Sequence, residues 1–246
     1  MPLIGIGASA GGIKALCQFF DATPADNGCA FIVVLHLDPK QSELAHVLSA
    51  HTAMPVFQVT DGVALACDHV YVIAPNTDLI VREGRLHIAK PSASHGHPVD
   101  VLFSSLALDQ GEKAIAIVLS GTGSNGTEGL RAIRAEGGMS LVQSPETAEF
   151  DGMRRSAISA GMADHVLPPE KMLAALLTFV KHNYVAHPAE TDTALPRSRA
   201  TLGNVLELLR ACGGYDFRGY KHADTRPAGP STPRSEKYRH AGQLCR

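Results

Sequence analysis

The sequence predicts an α/β fold, a doubly wound and mostly parallel sheet with helices on both faces and a small antiparallel meander. Three observations carry this. Short unbroken apolar runs bounded by turn residues alternate with helical patterns, as strand–helix–strand units require. The two cleanest runs, Ala30–Leu35 and Ala114–Leu119, have no polar alternation, which marks strands buried on both faces. Between Val56 and Ile88 the spacing changes to short runs separated by turns.

In chain order, Leu3–Gly7 reads as the first strand, a glycine-rich turn follows, and a helix runs from about Gly12 to Phe20. Ala30–Leu35 is the second strand; it leads into His36 and a helix near Gln41–Ser49. Val70–Ile73, Leu79–Arg82 and Leu86–Ile88, punctuated by Pro75-Asn76 and Glu83-Gly84, are expected to form the meander. Val99–Leu108 is helical, Ala114–Leu119 a strand, and the loop Ser120–Gly126 opens a helix reaching Ala135. Ser140–Gln143 is a short strand, followed by helices at Met153–Ala160 and Glu170–His182. The expected division is a catalytic domain over 1–187, a linker over 188–201, a helix-bearing segment over 202–222 and a disordered tail over 223–246. Leu202, Val205, Leu206 and Leu209 give that helix one apolar face, whereas the Pro-, Gly- and Arg-rich tail has no periodicity.

Composition narrows the function classes. With 246 residues, 45% hydrophobic, 19% charged and a net charge of −2, this is ordinary globular protein. That balance calls for neither nucleic acid nor an anionic membrane. Charge is uneven, since ten Lys/Arg against four Asp/Glu fall in Pro196–Arg246. No apolar run approaches the roughly 18 residues of a membrane span, so no membrane insertion is expected. The sequence begins almost at once on a strand, so no secretion signal is expected. The five cysteines are scattered without a C-x-x-C pair, so neither zinc nor a disulfide framework is expected. They read as reduced thiols in a cytoplasmic protein, with Cys17, Cys29 and Cys67 in or near the core. No signal sets the oligomeric state.

Three loops leaving buried strands carry the candidate chemistry. Gly5-Ile-Gly7-Ala-Ser9-Ala10-Gly11-Gly12 presents Ser9 at a strand's carboxyl end beside a helix N-terminus, where free amides can stabilise an oxyanion. Taken alone, the loop fits equally a dinucleotide fingerprint, with Asp38 as the ribose acid, or a plain structural turn. His36 ends the second strand, where it can act as general base toward Ser9 if the two strands are neighbours. The loop Ser120–Gly129 contains Asn125, which can orient His36 from a third strand end; an Asn-Gly turn capping a helix would look the same. His46, His51, His69, His87, His165, His182 and His187 have no special context and read as solvated surface.

Over about Leu3 to Val180 the motifs GIGASAGG, VVLHLDP, YVIAPN, HPVDVLF, LSGTGSNGTEGL and DGMRRSAI occur in this order. Together they resemble the catalytic domain of the chemotaxis protein-glutamate methylesterases (CheB). The resemblance implies Ser9 as nucleophile, His36 as base, and Asn125 at the position of the family's His-orienting Asp. Ala10, Gly11, Gly12, Thr122, Gly123 and Met153 would supply the oxyanion and substrate loops. The implied substrate is a glutamate γ-methyl ester on the cytoplasmic helical region of a methyl-accepting chemoreceptor, with glutamine deamidation as a second reaction. Neither a metal nor a cofactor is implied.

Three positions depart from the pattern. Asn125 replaces the Asp, Leu35 precedes His36 where the family usually has Gln, and Arg154 stands where Pro is usual. An amide lacks the charge that stabilises an imidazolium, so weakened activity is expected. Asn125-Gly126 is also a dipeptide prone to deamidation. Because the sequence opens on the first strand, no regulatory receiver domain is expected ahead of it. LGNVLELLRACGGYDFRGYKHAD resembles the opening helix of the chemoreceptor methyltransferases (CheR), a likeness that stops past Thr225. The expectation is a truncated methylesterase–methyltransferase fusion that makes no use of S-adenosylmethionine.

Overall fold

The computed structural model describes residues 1–35, 43–91 and 97–186, with side chains to residue 181. The protein divides into two units, Met1–Glu190 and Thr191–Arg246. The second lies outside the described residues, as do the linker, the helix over 202–222 and the tail expected from sequence.

In order, the elements are β1 (Leu3–Ala8), α1 (Gly12–Asp21), β2 (Ala30–Leu35), α2 (Leu44–Ser49), β3 (Val56–Gln58), β4 (Val63–Ala64), β5 (His69–Val72), β6 (Asp78–Arg82) and β7 (Arg85–Ala89). Then follow α3 (Pro98–Gln110), β8 (Ile115–Val118), α4 (Thr127–Ala135), β9 (Met139–Gln143), α5 (Gly152–Ser159), β10 (His165–Leu167) and α6 (Pro169–Ala186). Seven strands form one parallel sheet in the order β10-β9-β8-β1-β2-β5-β3; β4, β7 and β6 form a separate antiparallel sheet. Among the described residues no helix is long and apolar enough to cross a membrane.

Strand alternation sorts the core into two layers. Ile4, Ile6, Phe31, Val33, Ile115, Ile117 and Leu141 face α1, α2 and α6; Leu3, Ile32, Val34, Ala116, Val118 and Val142 face α3, α4, α5 and the small sheet. Phe19, Phe20 and Phe31 meet edge to face, with centroids 5.2–5.7 Å apart, and anchor the first layer. Gly5 and Gly7 lie on the second face, where α3 comes closest. A β-carbon on Gly7 would sit 2.2 Å from Val99 Cγ1, and one on Gly5 3.1 Å from Phe103. The paired glycines therefore admit a helix against the central strand, a packing role that the dinucleotide reading of the same residues does not need.

The expected fold class holds, with one reassignment inside it. Val70–Ile73 was expected in the meander, but β5 pairs in parallel with β2 and β3 and belongs to the main sheet. The strand completing the meander is Val63–Ala64. Two residues offer too little periodicity to recognise, and the apolar VYVI run fits a buried strand as well as a hairpin.

Cysteine placement also differs from expectation. Cys29 is buried and Cys17 half-buried, but Cys67 is exposed. Burial, aided by Asp68, pushes the Cys29 thiol up to about 11. The unfolded protein ionises this thiol first, so its contribution is complete below the ordinary thiol range and is lost as pH climbs toward the folded value. Thermal melts above neutral pH should show a falling Tm that Cys29→Ala flattens; an unchanged slope would refute this account.

Candidate active site

β1 is the middle strand of the sheet, flanked by β8 and β2, so all three carboxyl ends open at one edge. Ser9 follows the end of β1, and Ser120 follows the end of β8 by two residues. Ala8 pairs with Leu35, the last residue of β2. His36 is next in the sequence and lies outside the described residues, as does Asp38. Leu35 is itself buried in the α1-side layer, where it fills core volume.

The Ser9 turn is tied down by backbone. The Ser9 N–H donates to the Ser120 carbonyl at 3.0 Å, and the Gly12 N–H donates to the Ser9 carbonyl at 2.8 Å. Gly12, expected as an oxyanion donor, thus spends its N–H inside the turn. No acceptor among the described residues engages the Ala10 or Gly11 N–H. Gly11, with φ 70°, is the N-cap of α1 and reverses the backbone there. Ser9, Ala10 and Gly11 are all partly exposed. A partly exposed serine, two amides without an acceptor among the described residues and a helix N-terminus together can serve nucleophilic attack and charge stabilisation on a carbonyl.

Ser120 holds the neighbouring loop. Its side chain is buried, donates to the Ala10 carbonyl at 3.0 Å and accepts from the Phe150 N–H at 3.0 Å. Its own N–H donates to Gln143 Oε1 at 2.8 Å. Thr122 and Gly123 are exposed at the tip of this loop. Met153 is fully buried beneath it: its N–H donates to the Gly121 carbonyl at 3.0 Å, and its sulfur occupies the space a side chain at 121 would need. Gly121 also abuts Ser9, since a β-carbon there would lie 2.9 Å from Ser9 Cβ.

Asn125 is 6% exposed, and its Oδ1 accepts the Asp100 N–H at 3.2 Å in the first turn of α3. That bond sets the amide's orientation, because an NH₂ there would oppose donor to donor. Nδ2 is buried and has no hydrogen-bond partner among the described residues. The Asp100 carboxylate in turn accepts the Gly129 N–H at 2.7 Å near the start of α4.

Sequence reasoning missed Ser120, Gln143 and Asp100 as supports of the site. The polar end of the apolar SLVQ run and the acid in HPVDVLF were the available signals. Among the histidines, His46 and His165 are exposed as expected. His51, His69 and His87 are half-buried with partners: Asp21 at 2.9 Å, the Phe57 and Tyr71 rings, and Asp61 at 3.5 Å. His182 and His187 lie outside the described side chains. Among the described residues no group of three or more His, Cys, Asp or Glu could hold a metal ion.

Arg154 lies in the first turn of α5, 6% exposed, and its Nε has no partner among the described residues. An unsatisfied buried polar group costs about 1–3 kcal/mol. Arg154→Met keeps the aliphatic stem and removes the charge, so stability should rise by roughly 1–3 kcal/mol. A urea midpoint unchanged or lowered would contradict this.

A parallel sheet with a serine at its central strand end and an Asn-bearing loop alongside is an α/β arrangement compatible with a serine nucleophile. The sequence profile described as CheB methylesterase matches residues 4–176. The protein belongs to the CheB methylesterase family. A protein-glutamate methylesterase/protein-glutamine glutaminase of Geobacillus kaustophilus is 34% identical over 187 residues, 72% of this chain and 53% of that protein. An uncharacterised 104.1 kDa protein of Rhodobacter capsulatus is 43% identical over 130 residues, 52% of this chain and 14% of that protein. The crystal structure of the Thermotoga maritima CheB methylesterase catalytic domain superposes with TM-score 0.68 at 28% identity, covering 73% of this chain and 98% of that one. The present sequence thus spans about half the length of the Geobacillus relative.

Proposed function

We propose that this protein hydrolyses glutamate γ-methyl esters on the cytoplasmic region of methyl-accepting chemoreceptors, with deamidation of glutamine as a second outcome of the same attack. The observation that carries the reading is Ser9 at the end of the central strand, between the strand leading to His36 and the loop bearing Asn125, in a member of this family. Ser9 Oγ adds to the ester carbonyl while His36 takes its proton. The Ala10 and Gly11 N–H groups receive the oxyanion. Collapse expels methanol, protonated by His36, and water then releases the acid from the acyl-serine.

Asn125 weakens this machinery. Oδ1 already accepts the Asp100 N–H, and the other head-group atom is an NH₂, which cannot accept a ring N–H; a neutral amide also lacks the charge that stabilises an imidazolium. The same observation supports a second reading, a domain that docks receptors without turning them over. Dinucleotide binding is disfavoured by the crowding over α1, since a β-carbon on Gly11 would lie 2.9 Å from Ser120 Oγ and 3.0 Å from the Phe150 ring. Residues 1–187 form the catalytic domain in this reading. The methyltransferase-like segment over 202–222 is taken as kinship with fused methylesterase–methyltransferase proteins, on its sequence alone.

The test is methanol release from a methylated receptor fragment by the parent protein, Ser9→Ala and Asn125→Asp. Slow release by the parent, lost in Ser9→Ala, is expected. Receptor binding with no release from the parent or from Asn125→Asp would establish the docking reading instead.

A further inference from the structure

We propose that Asn125-Gly126 is a self-modifying site, at which the protein turns its own Asn125 into aspartate through a succinimide. The Gly126 nitrogen attacks Asn125 Cγ, forming the new Cγ–N bond as the Cγ–Nδ2 bond breaks. The amide nitrogen leaves as ammonia with the proton from Gly126. Water then opens the ring, giving aspartate and restoring the Gly126 N–H. The sum is asparagine plus water to aspartate plus ammonia, with no oxidant or co-reactant.

Four features of the fold converge on this step. The first is that Gly126 is imposed by the structure: its φ is 95°, it is the N-cap of α4, and a β-carbon would meet Val99 Cγ1 at 3.0 Å. The residue needed for the turn is the one that leaves the attacking nitrogen unshielded. Secondly, no described residue accepts the Gly126 N–H, so the nucleophile gives up no hydrogen bond, and the α4 dipole favours the anion formed there. Asp100, thirdly, donates its N–H to Asn125 Oδ1 at 3.2 Å, which polarises the carbonyl under attack as an oxyanion donor would. Finally, the leaving nitrogen is buried and bonded to nothing among the described residues. Replacing it by oxygen removes an unsatisfied donor and keeps the Asp100 bond.

The frame also selects the product. The Thr127 N–H donates to the Ser124 carbonyl at 3.2 Å and the Leu130 N–H to the Gly126 carbonyl at 2.9 Å, pinning the backbone on both sides of the pair. Isoaspartate would insert an extra main-chain atom between these anchors; aspartate does not. The functional consequence rests on the proposed active site, in which position 125 is that of the family's His-orienting aspartate. The protein would then mature into a faster hydrolase with age.

The full-length protein, purified quickly in mildly acidic buffer, is held folded in mildly alkaline buffer and sampled over days. The segment around residue 125 is followed by peptide mass spectrometry beside the same peptide excised by protease. Conversion in the folded protein at least as fast as in the peptide is expected, with aspartate predominant and methyl-ester hydrolysis rising in step. Conversion roughly tenfold slower in the folded protein, about 1.4 kcal/mol of added barrier, or mainly isoaspartate, would overturn the proposal. Asn125→Gln is the mass control and should not convert. The two readings fail separately: an inactive Asn125→Asp variant removes the methylesterase role, whereas an active variant beside an unconverted parent removes only self-modification.

Discussion

Asn125→Asp is expected to raise methyl-ester hydrolysis by this protein about 10²- to 10⁴-fold, the upper figure being the loss measured when the triad Asp of a serine protease is made Asn. The Asp100 N–H already claims one atom of the residue 125 head group, at Oδ1. In the parent the second atom is a donor without a partner among the described residues; in the variant it is a charged acceptor. A carboxylate can hold the His36 ring N–H and stabilise the imidazolium that forms when Ser9 loses its proton, so the gain belongs to kcat. KM should change little, because Asn125 is buried and makes no exposed contact surface. Initial rates on a methylated receptor fragment decide it, and equal rates for parent and variant would remove Asn125 from the mechanism.

Ser9→Ala, made in the Asn125→Asp background so that the rate being lost is measurable, is expected to cost about 10³-fold or more. The turn itself should survive. Its hydrogen bonds use the Ser9 N–H and carbonyl, and no described residue bonds the hydroxyl. The melting temperature should therefore match that of the single variant while hydrolysis falls to the level left by the oxyanion donors alone. A substantial residual rate would move the nucleophile elsewhere.

The sheet, its parallel sense and the carboxyl edge at which Ser9 lies were legible in the sequence, because buried strands such as AFIVVL leave an unbroken apolar record. β3 and β10 were not seen, since three-residue edge strands with exposed positions leave none. Ser9 and Asn125 could be singled out from turn chemistry at strand ends. What held them could not: the Ser120 hydroxyl reaches residues 110 and 30 positions away in the sequence, and nothing local records such a bond. The spacing of Gly5 and Gly7 suggested a phosphate cradle, whereas the space they leave is filled by α3. A missing side chain is recorded in sequence, but the neighbour that needs the room is not.

Val99 packs at the same time against Gly7 of the nucleophile strand and Gly126 of the Asn125 loop. One small side chain thus bridges two segments that otherwise belong to separate strand–helix units. Amide hydrogens around β1, the start of α3 and the start of α4 should consequently exchange with solvent as one cooperative block. Local breathing that separated Ser9 from Asn125 would need to unseat this valine, so the two ends of the site are expected to open together, at a free energy close to that of the central sheet.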